Sequence, residues 1–256
     1  MSVEPESAAA AGAASNKLVM DLVVSYRDVD RDEVVLLSGV FKLLQEAAVA
    51  HANRYNVGTA AISTSGESWV LHRIAVAIHR YPRYEERLRI ETWSTGIKAF
   101  KGYRDFRVYD ATDELVISGS SLWLYVNLKT KAIVRVPRDV AERFPARLEE
   151  AFEPALETLT LPSPDAAGDA TPVTVRYSDV DANHHVNNTA YLDYLQTALA
   201  RRGLPLRPRE IRLKFGKGIP ADATEVRVTT QTVEPSRALF GIDYTDTTAA
   251  QGELRW

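Results

Sequence analysis

The sequence predicts an α+β fold made of two consecutive copies of one module, and three observations lead to this prediction. Each half contains one stretch of apolar residues at helical spacing, followed by stretches with the period of two that is typical of strands. The second half repeats the first at an offset of 151 residues, without a gap over positions 24–48. A segment rich in Pro, Ala, Glu and Asp separates the halves. The predicted divisions are a disordered tail at 1–17, a first module at 18–144, a connector at 145–172 and a second module at 173–256.

The first module is predicted to begin with a buried strand and one long helix. An apolar run that starts at Leu18 predicts the strand. Apolar residues then recur at three- and four-residue spacing from Ser38, the predicted N-cap, to Ala52, which predicts the helix. Antiparallel strands are predicted after the helix, at 69–78, 88–92, 103–109 and 115–126.

The repeat is carried by identical residues in aligned stretches. YRDVD at 26–30 lies over YSDVD at 177–181, and nine of the 25 residues at 24–48 are identical to their partners 151 residues later. An offset of 138 then places Pro82 over Pro220, so the second copy is 13 residues shorter between its helix and its sheet. The chain is therefore predicted to be a tandem duplication.

Composition argues against several classes of function. The 256-residue chain has a formal net charge of −3, which gives no general reason to expect a nucleic-acid partner. No apolar run approaches the length of a membrane span. The absence of cysteine excludes a disulfide framework, a thiolate nucleophile and cysteine-ligated metals. Neither a secretory signal nor a transit peptide fits residues 1–17 well, so a soluble protein in the cytoplasm is the simplest expectation.

A dense group of acid, amide and imidazole side chains directly precedes the second predicted helix. It includes Asp181, Asn183, His184, His185, Asn187 and Asn188. Of these, the first copy keeps only the aspartate, as Asp30, which predicts a single active centre in the second module. The repeat of Asp30 also leaves open a structural role for Asp181, in which its carboxylate accepts backbone hydrogen bonds in a turn.

The helix that follows this group is predicted to supply hydrogen-bond donors. Asn187, Asn188 or Thr189 is the predicted N-cap, and the amide hydrogens of the first helical turn have no partner within the helix. Such a helix end favours negative charge, so these amides are candidates to hold a developing oxyanion.

These residues and several first-module motifs resemble those of the acyl-ACP thioesterases, the bacterial relatives of the plant plastid enzymes that release fatty acids from acyl carrier protein. The family carries D-x-N-x-H-V-N-N before its second helix, and residues 181–188 match it at every named position. WVLHR at 69–73, RYP at 80–82 and YRDF at 103–106 are similar to the first half of the family. The resemblance covers roughly 18–256. It implies a tandem double hotdog fold, in which each module wraps a curved antiparallel sheet around a long helix.

The resemblance also implies hydrolysis of the thioester of fatty acyl-ACP to free fatty acid and carrier thiol. The chain has neither a cysteine nor a G-x-S-x-G motif, so direct attack by water is favoured over a covalent acyl-enzyme. His185 is the candidate base, and Asn183 is predicted to orient it or the substrate carbonyl. Asp181 is predicted either to orient these two residues or to share the base role.

One position departs from the family pattern. Family members usually place a glutamate or cysteine at the end of a strand after the motif helix, and Lys217 occupies that slot here. This substitution removes one candidate base. Neither a metal nor a cofactor is expected, because adjacent residues such as His184 and His185 diverge on an extended chain and rarely bind one ion.

Basic residues after the motif helix are the candidate surface for the acidic acyl carrier protein. They are Arg201, Arg202, Arg209 and Lys214. An ordinary solvated face explains them equally well. The acyl pocket is expected in the first module, with Val40, Leu44 and Trp69 among its lining residues. A tandem pair supplies its own sheet-to-sheet contact, so the expected assembly is a monomer or a homodimer.

Two other functions remain open on the residues alone. A hotdog-fold hydratase or dehydratase acting on 3-hydroxyacyl thioesters would use a histidine paired with a carboxylate. The second open function is that of a non-catalytic protein that binds acyl thioesters, because Lys217 occupies the position where the family has a candidate base.

Overall fold

The computed structural model describes residues 16–58, 66–144, 152–153, 155–165 and 169–256. The predicted tail, except its last two residues, lies outside this part of the chain, as does part of the predicted connector.

The first module contains one long helix and the five predicted strands. Their bounds are β1 (Lys17–Val23), α1 (Leu37–Arg54), β2 (Glu67–Ile78), β3 (Arg87–Lys98), β4 (Lys101–Asp110) and β5 (Leu115–Asn127). A 3-10 turn at Tyr26–Asp28 lies between β1 and α1. A short strand, β6 (Ala132–Ile133), and a short helix, α2 (Arg138–Arg143), follow β5.

The second module repeats this order of elements. Its bounds are β7 (Asp169–Thr174), α3 (Ala190–Arg201), β8 (Glu210–Phe215), β9 (Glu225–Glu234), β10 (Arg237–Tyr244) and β11 (Thr247–Arg255). A 3-10 turn at Tyr177–Asp179 again precedes the helix. Each of these elements has a counterpart in the first module.

One continuous antiparallel sheet joins the modules. The strand order is β1-β3-β4-β5-β2-β8-β11-β10-β9-β7, and β6 pairs with β5 outside this path. The order is the same from either end when each strand is matched with its repeat partner, so an approximate twofold axis passes between β2 and β8. Ala75 pairs with Arg212 at the middle of this junction. The two modules therefore contact each other as two copies of a symmetric dimer would.

The helices bury their apolar faces in one shared core. Leu44 of α1 and Leu195 of α3 are equivalent in the repeat and are 1% and 0% exposed. Burial of a leucine side chain contributes about 1.5–3 kcal/mol. Residues at helical spacing around them are buried as well, namely Val40, Phe41, Ala47, Ala48, Tyr191, Leu192, Ala198 and Leu199. The α+β prediction and its helical faces are thus confirmed.

The start of α1 differs from the prediction for a physical reason. The helix begins at Leu37, and Ser38 lies inside its first turn rather than at the N-cap. The Ser38 hydroxyl is buried and has no hydrogen-bond partner among the described residues. The Leu37 amide donates instead to Oε1 of Gln196, on α3, at 3.2 Å. A side chain from the other module therefore caps this helix, and local sequence does not reveal such a cap.

The second module begins inside the range predicted as connector. Strand β7 starts at Asp169, because the backbone from Asp169 to Thr174 pairs with β9. Its Pro172 fits there because β7 is an edge strand, where a residue without an amide hydrogen is tolerated.

The alignment of Pro82 over Pro220 is wrong by one residue. The Val35 amide donates to Pro82 O at 3.0 Å, and the Val186 amide donates to Ile219 O at 2.9 Å. Val35 and Val186 are repeat partners, so Pro82 corresponds to Ile219. Tyr81 consequently corresponds to Gly218.

Candidate active site

Residues 181–185 form a tight turn ahead of α3. The Asp181 amide donates to His185 O at 2.9 Å, and the His184 amide donates to Asp181 O at 3.0 Å. Oδ1 of Asp181 accepts the Asn183 amide at 2.8 Å. His184 completes the turn with a φ of 58°, and its side chain is exposed.

The first copy contains the same turn at residues 30–34. Oδ1 of Asp30 accepts the amides of Asp32 and Val34 at 2.9 and 3.1 Å. Glu33, the partner of His184, has a φ of 59°. Both copies thus use the aspartate to hold a turn, which supports the structural role for Asp181. Its other oxygen, Oδ2, lies 3.4 Å from Nδ2 of Asn187 rather than against His185.

His185 has one ring nitrogen engaged by the turn itself. Nδ1 lies 2.9 Å from the backbone oxygen of Asn183. A carbonyl oxygen only accepts hydrogen bonds, so Nδ1 carries the proton in the neutral ring and Nε2 has a free lone pair. The ring packs on Gly218, where an added Cβ would lie 3.1 Å from Cδ2 of His185. The half-buried imidazole is therefore held with Nε2 as its basic atom.

Asn183 carries an exposed carboxamide two residues before this histidine. The backbone amide and the backbone carbonyl oxygen of Asn183 both form hydrogen bonds within the turn. Its exposed side chain makes no hydrogen bond with any part of the chain that the structure describes. The carboxamide is therefore available to a bound molecule or to water.

Two of the three predicted oxyanion donors are occupied by the protein, which corrects that prediction. The Asn187 amide donates to Asp179 O at 2.8 Å. The Thr189 amide donates to Oδ1 of Asn187 at 2.9 Å, and the Thr189 hydroxyl donates to the same atom at 2.8 Å. Within the described ranges, the Asn188 amide has no acceptor. Thr189 is thus the N-cap of α3, with the Asn187 side chain bound to it, and Asn188 is the remaining donor.

Two tyrosines of α3 bind residues that flank the turn, Asp179 before it and Ile219 on the neighbouring segment, a role that sequence reasoning missed. The hydroxyl of Tyr194 donates to Oδ2 of Asp179 at 2.7 Å, and burial raises the pKa of this tyrosine. The hydroxyl of Tyr191 accepts the Ile219 amide at 3.2 Å, and burial raises its pKa to about 12. Asp179 is identical to Asp28 in the repeat, which was the available signal.

Lys217 lies in the short segment between β8 and Ile219, next to the glycine that contacts His185. Its side chain is exposed and makes no hydrogen bond or ion pair with the described residues. Gly216 before it is required by close packing, since an added Cβ would lie 2.4 Å from Thr248 O. The segment from Gly216 to Ile219 thus contains no carboxylate.

The equivalent space in the first copy is filled. Tyr81 stands where the second copy has Gly218, and its hydroxyl donates to Pro208 O at 2.8 Å. Nη2 of Arg207 lies 2.7 Å from Oδ2 of Asp30 and 2.7 Å from Oδ2 of Asp32. Arg207 thus pairs with two carboxylates of the first-copy turn, and a surface groove remains beside that turn. A single active centre in the second module stays a prediction.

A cavity of about 100 Å³ lies in the first module, between the second half of α1 and the sheet. Its lining is mostly apolar and includes Ala48, Val49, Ala52, Trp69 and Trp123. Trp69 was predicted here, whereas Val40 and Leu44 lie in the core and do not line the cavity. The cavity has the apolar character that a hydrocarbon chain requires.

One cation lines this cavity. Arg104 is buried, and burial lowers its pKa to about 9. Its Nη1 lies 2.9 Å from Nδ1 of His51 and 3.0 Å from Oγ1 of Thr92. The guanidinium also lies over the ring of Phe144, 5.3 Å from its centroid. Arg104 is thus held by neutral partners.

Acid should destabilise the fold through His51, which is 1% exposed. Burial, together with the charge of Arg104, lowers the pKa of His51 to about 3 from the ordinary 6.5. Between these pH values, the unfolded chain therefore binds more protons at His51 than the folded chain does. The contribution of His51 to stability is complete above pH 6.5 and is lost as the pH falls below that value. The loss between pH 7.5 and 4.5 should be about 2–3 kcal/mol from this residue. Urea unfolding at both pH values checks this, because His51→Gln should shrink the pH dependence by that amount, and an unchanged pH dependence would contradict it.

The predicted basic surface is partly used for structure. Arg201 donates to Pro172 O at 2.7 Å, and Arg202 binds Asp169 and Thr230 O. Arg209 and Lys214 make no side-chain hydrogen bond or ion pair with residues that the structure describes. Only these two of the four predicted residues remain available to a partner.

The described residues contain no group of three or more His, Asp or Glu side chains arranged to hold a metal ion. None of their helices has the length and apolar character needed to cross a membrane.

Family models match most of the chain. The acyl-ACP thioesterase N-terminal domain matches residues 16–144, and the C-terminal domain of the same family matches residues 163–255.

Curated relatives match at lower coverage. The dodecanoyl-[acyl-carrier-protein] hydrolase of Cinnamomum camphora is 30% identical over 183 residues, which cover 66% of this chain and 47% of the relative. The oleoyl-acyl carrier protein thioesterase of Coriandrum sativum is 26% identical, over 71% of this chain and 53% of the relative. This chain thus spans about half the length of the curated relatives it matches.

Solved structures share the fold over almost the whole chain. A 12:0-ACP thioesterase from Umbellularia californica superimposes with a TM-score of 0.82 at 21% identity, covering 96% of this chain and 98% of the other. An acyl-ACP thioesterase from Bacteroides thetaiotaomicron gives 0.78 at 17% identity, covering 94% and 97%. The fold is the predicted tandem double hotdog. With both family domains matched in order, the chain belongs to the acyl-ACP thioesterase family.

Proposed function

We propose that the protein hydrolyses the thioester of fatty acyl-ACP to free fatty acid and carrier thiol by direct attack of water. The observation that carries this proposal is the position of His185, whose Nδ1 is engaged by the Asn183 carbonyl so that Nε2 is left as a base. The Asn183 carboxamide and the Asn188 amide, which have no hydrogen-bond partner among the described residues, lie on the same loop. The names of the relatives, acyl-[acyl-carrier-protein] hydrolase and thioesterase, support the choice of substrate.

The proposed reaction has two steps. Nε2 of His185 takes a proton from water as the water oxygen bonds to the thioester carbon, and the Asn188 amide donates to the oxyanion. The tetrahedral intermediate then collapses, the carbon–sulfur bond breaks, and the carrier thiolate takes the proton from His185. Asp181 holds the turn that positions these groups.

The acyl chain is proposed to occupy the first-module cavity. Ala200 and Gly203 line a surface groove together with the first-copy turn. Their repeat partners are Val49 and Ala52, which line the cavity. The twofold relation therefore supports a position for the turn at 181–185 beside the cavity, so that a thioester at His185 extends its chain into the first module.

The test is an assay in which the purified chain acts on acyl-ACP and the release of free thiol is measured. Free thiol and free fatty acid in equal amounts, well above the spontaneous rate, are expected. Enoyl and 3-hydroxyacyl thioesters serve as comparison substrates. Hydration or dehydration of these without thiol release would contradict the proposal, as would acyl-ACP binding without turnover.

Carrier recognition is proposed to involve Lys214, a half-buried cation without an acidic partner among the described residues. Charges at a contact rim mainly change association and its salt dependence. Lys214→Glu should raise KM for acyl-ACP about three- to ten-fold at low salt and leave kcat within about two-fold. Lys129→Glu, in the exposed turn between β5 and β6, is the matched control and should change neither value. An equal KM for both variants at low salt would contradict this assignment.

A further inference from the structure

A hydrogen bond between the two modules caps α1, and the equivalent hydrogen bond is missing at the candidate active site. Oε1 of Gln196 accepts the Leu37 amide at 3.2 Å, and Nε2 of the same side chain donates to Leu206 O at 3.1 Å. Gln196 is 8% exposed. A glutamine of the second module's helix therefore satisfies the free amide at the start of the first module's helix.

The repeat contains both members of this contact twice. At the offset of 151 residues, Leu37 corresponds to Asn188 and Gln196 corresponds to Gln45. The glutamine is one of the identical positions, whereas the amide-bearing residue differs. Helices α1 and α3 pack against each other across the approximate twofold axis. The symmetry relation thus sets Gln45, on the first module's helix, opposite the Asn188 amide.

The two versions of the contact differ in one respect. The first is closed by the hydrogen bond between Leu37 and Gln196. In the second, neither the Asn188 amide nor the Gln45 side chain makes a hydrogen bond with the described part of the chain. Gln45 is also only half-buried. The open version lies at the turn that carries His185, so the protein leaves one donor and one carboxamide available at the place where the thioester is proposed to bind.

From this difference we infer that Gln45 is an active-site residue supplied by the first module, which binds the water that attacks the thioester. This inference rests on the proposed function. In the closed version, the Gln196 oxygen accepts a hydrogen bond from the Leu37 amide. In the open version, the substrate carbonyl oxygen accepts the hydrogen bond from the Asn188 amide. The Gln45 carboxamide then lies beside the carbonyl carbon. Its Oε1 can accept a hydrogen bond from water, but it cannot take the proton, which goes to His185.

The variants Gln45→Ala and Gln196→Ala test this inference as a matched pair. Gln45→Ala should lower kcat for acyl-ACP about 30-fold, with KM changed less than about three-fold, because it removes a hydrogen bond to the reacting water. Its Tm should stay at the wild-type value, since Gln45 makes no hydrogen bond within the described chain. Gln196→Ala should show the reverse: kcat unchanged at 25 °C and Tm lower by about 2–4 °C, because α1 loses its cap.

A conservative variant adds a readout that a structural role would not change. Gln45→Glu keeps an oxygen that accepts from water and adds a group that takes a proton, so it should retain at least about a tenth of wild-type kcat. In a His185→Gln background, Gln45→Glu should also restore measurable turnover. A wild-type rate for Gln45→Ala, with His185→Gln inactive, would overturn this inference and leave the proposed function intact. A wild-type chain without thiol release would overturn the proposed function itself.

Discussion

Replacement of His185 by glutamine should lower kcat for acyl-ACP hydrolysis about a thousand-fold, within the roughly 10²- to 10⁴-fold contribution of a general base. Nδ1 of His185 lies 2.9 Å from Asn183 O, so Nε2 is the nitrogen that accepts the proton from water. Glutamine retains much of the side-chain volume and can still form hydrogen bonds, but it does not accept a proton near neutral pH. Thiol release at saturating acyl-ACP measures the effect, and KM should change less than about three-fold.

His184 provides the matched control for this variant. It is the adjacent residue and also a histidine, but its side chain is exposed, and its φ of 58° directs the backbone through the turn. His184→Gln should keep kcat within about two-fold of the wild-type value. Equal rates for His185→Gln and wild type would remove His185 from the mechanism. A similar loss in His184→Gln would show that the turn, rather than the His185 imidazole, is what both variants disturb.

Much of the fold was predictable because local pattern and repetition agree with the tertiary structure. The period of the apolar residues predicted α1 and β1 to β5, and the offset of 151 residues predicted two equivalent modules. Contacts between the modules were not predictable in the same way. Gln196 replaces Ser38 as the cap of α1 because the twofold arrangement brings α3 close to the start of that helix. A local capping rule cannot detect a partner 159 residues away.

The candidate site was predictable as a set of residues but not as a set of roles. The motif predicted Asp181, Asn183 and His185 as site residues, which stays a prediction, and it did not indicate which of their atoms already form hydrogen bonds. The side chain of Asn187 accepts the Thr189 amide, so among the described residues the Asn188 amide is the one of the three predicted donors without an acceptor. The exchange of Tyr81 for Gly218 opens space for the His185 ring in one copy only. The offset of 138 residues places Tyr81 over Ile219, so sequence alignment alone does not reveal this exchange.

Replacement of Asp181 by alanine should lower kcat about a hundred-fold. Oδ1 of Asp181 accepts the Asn183 amide at 2.8 Å and so fixes the carbonyl that in turn holds Nδ1 of His185. Without this acceptor, the turn relaxes, and a displacement of about 1 Å at a reacting group can cost 10²-fold in rate. The loss should fall on kcat, measured by thiol release, with a smaller change in KM.

Asp181→Asn separates the two roles that the sequence left open for this residue. An asparagine oxygen still accepts the Asn183 amide but takes no proton, so kcat should stay within about five-fold of the wild-type value if Asp181 holds the turn. A loss as large as that of Asp181→Ala would assign Asp181 a share of the base role. Asp30→Ala is the internal control, because it removes the same acceptor from the first-copy turn. It should lower the free energy of unfolding by about 1–2 kcal/mol and leave kcat unchanged, since that turn has Val34 in place of the histidine.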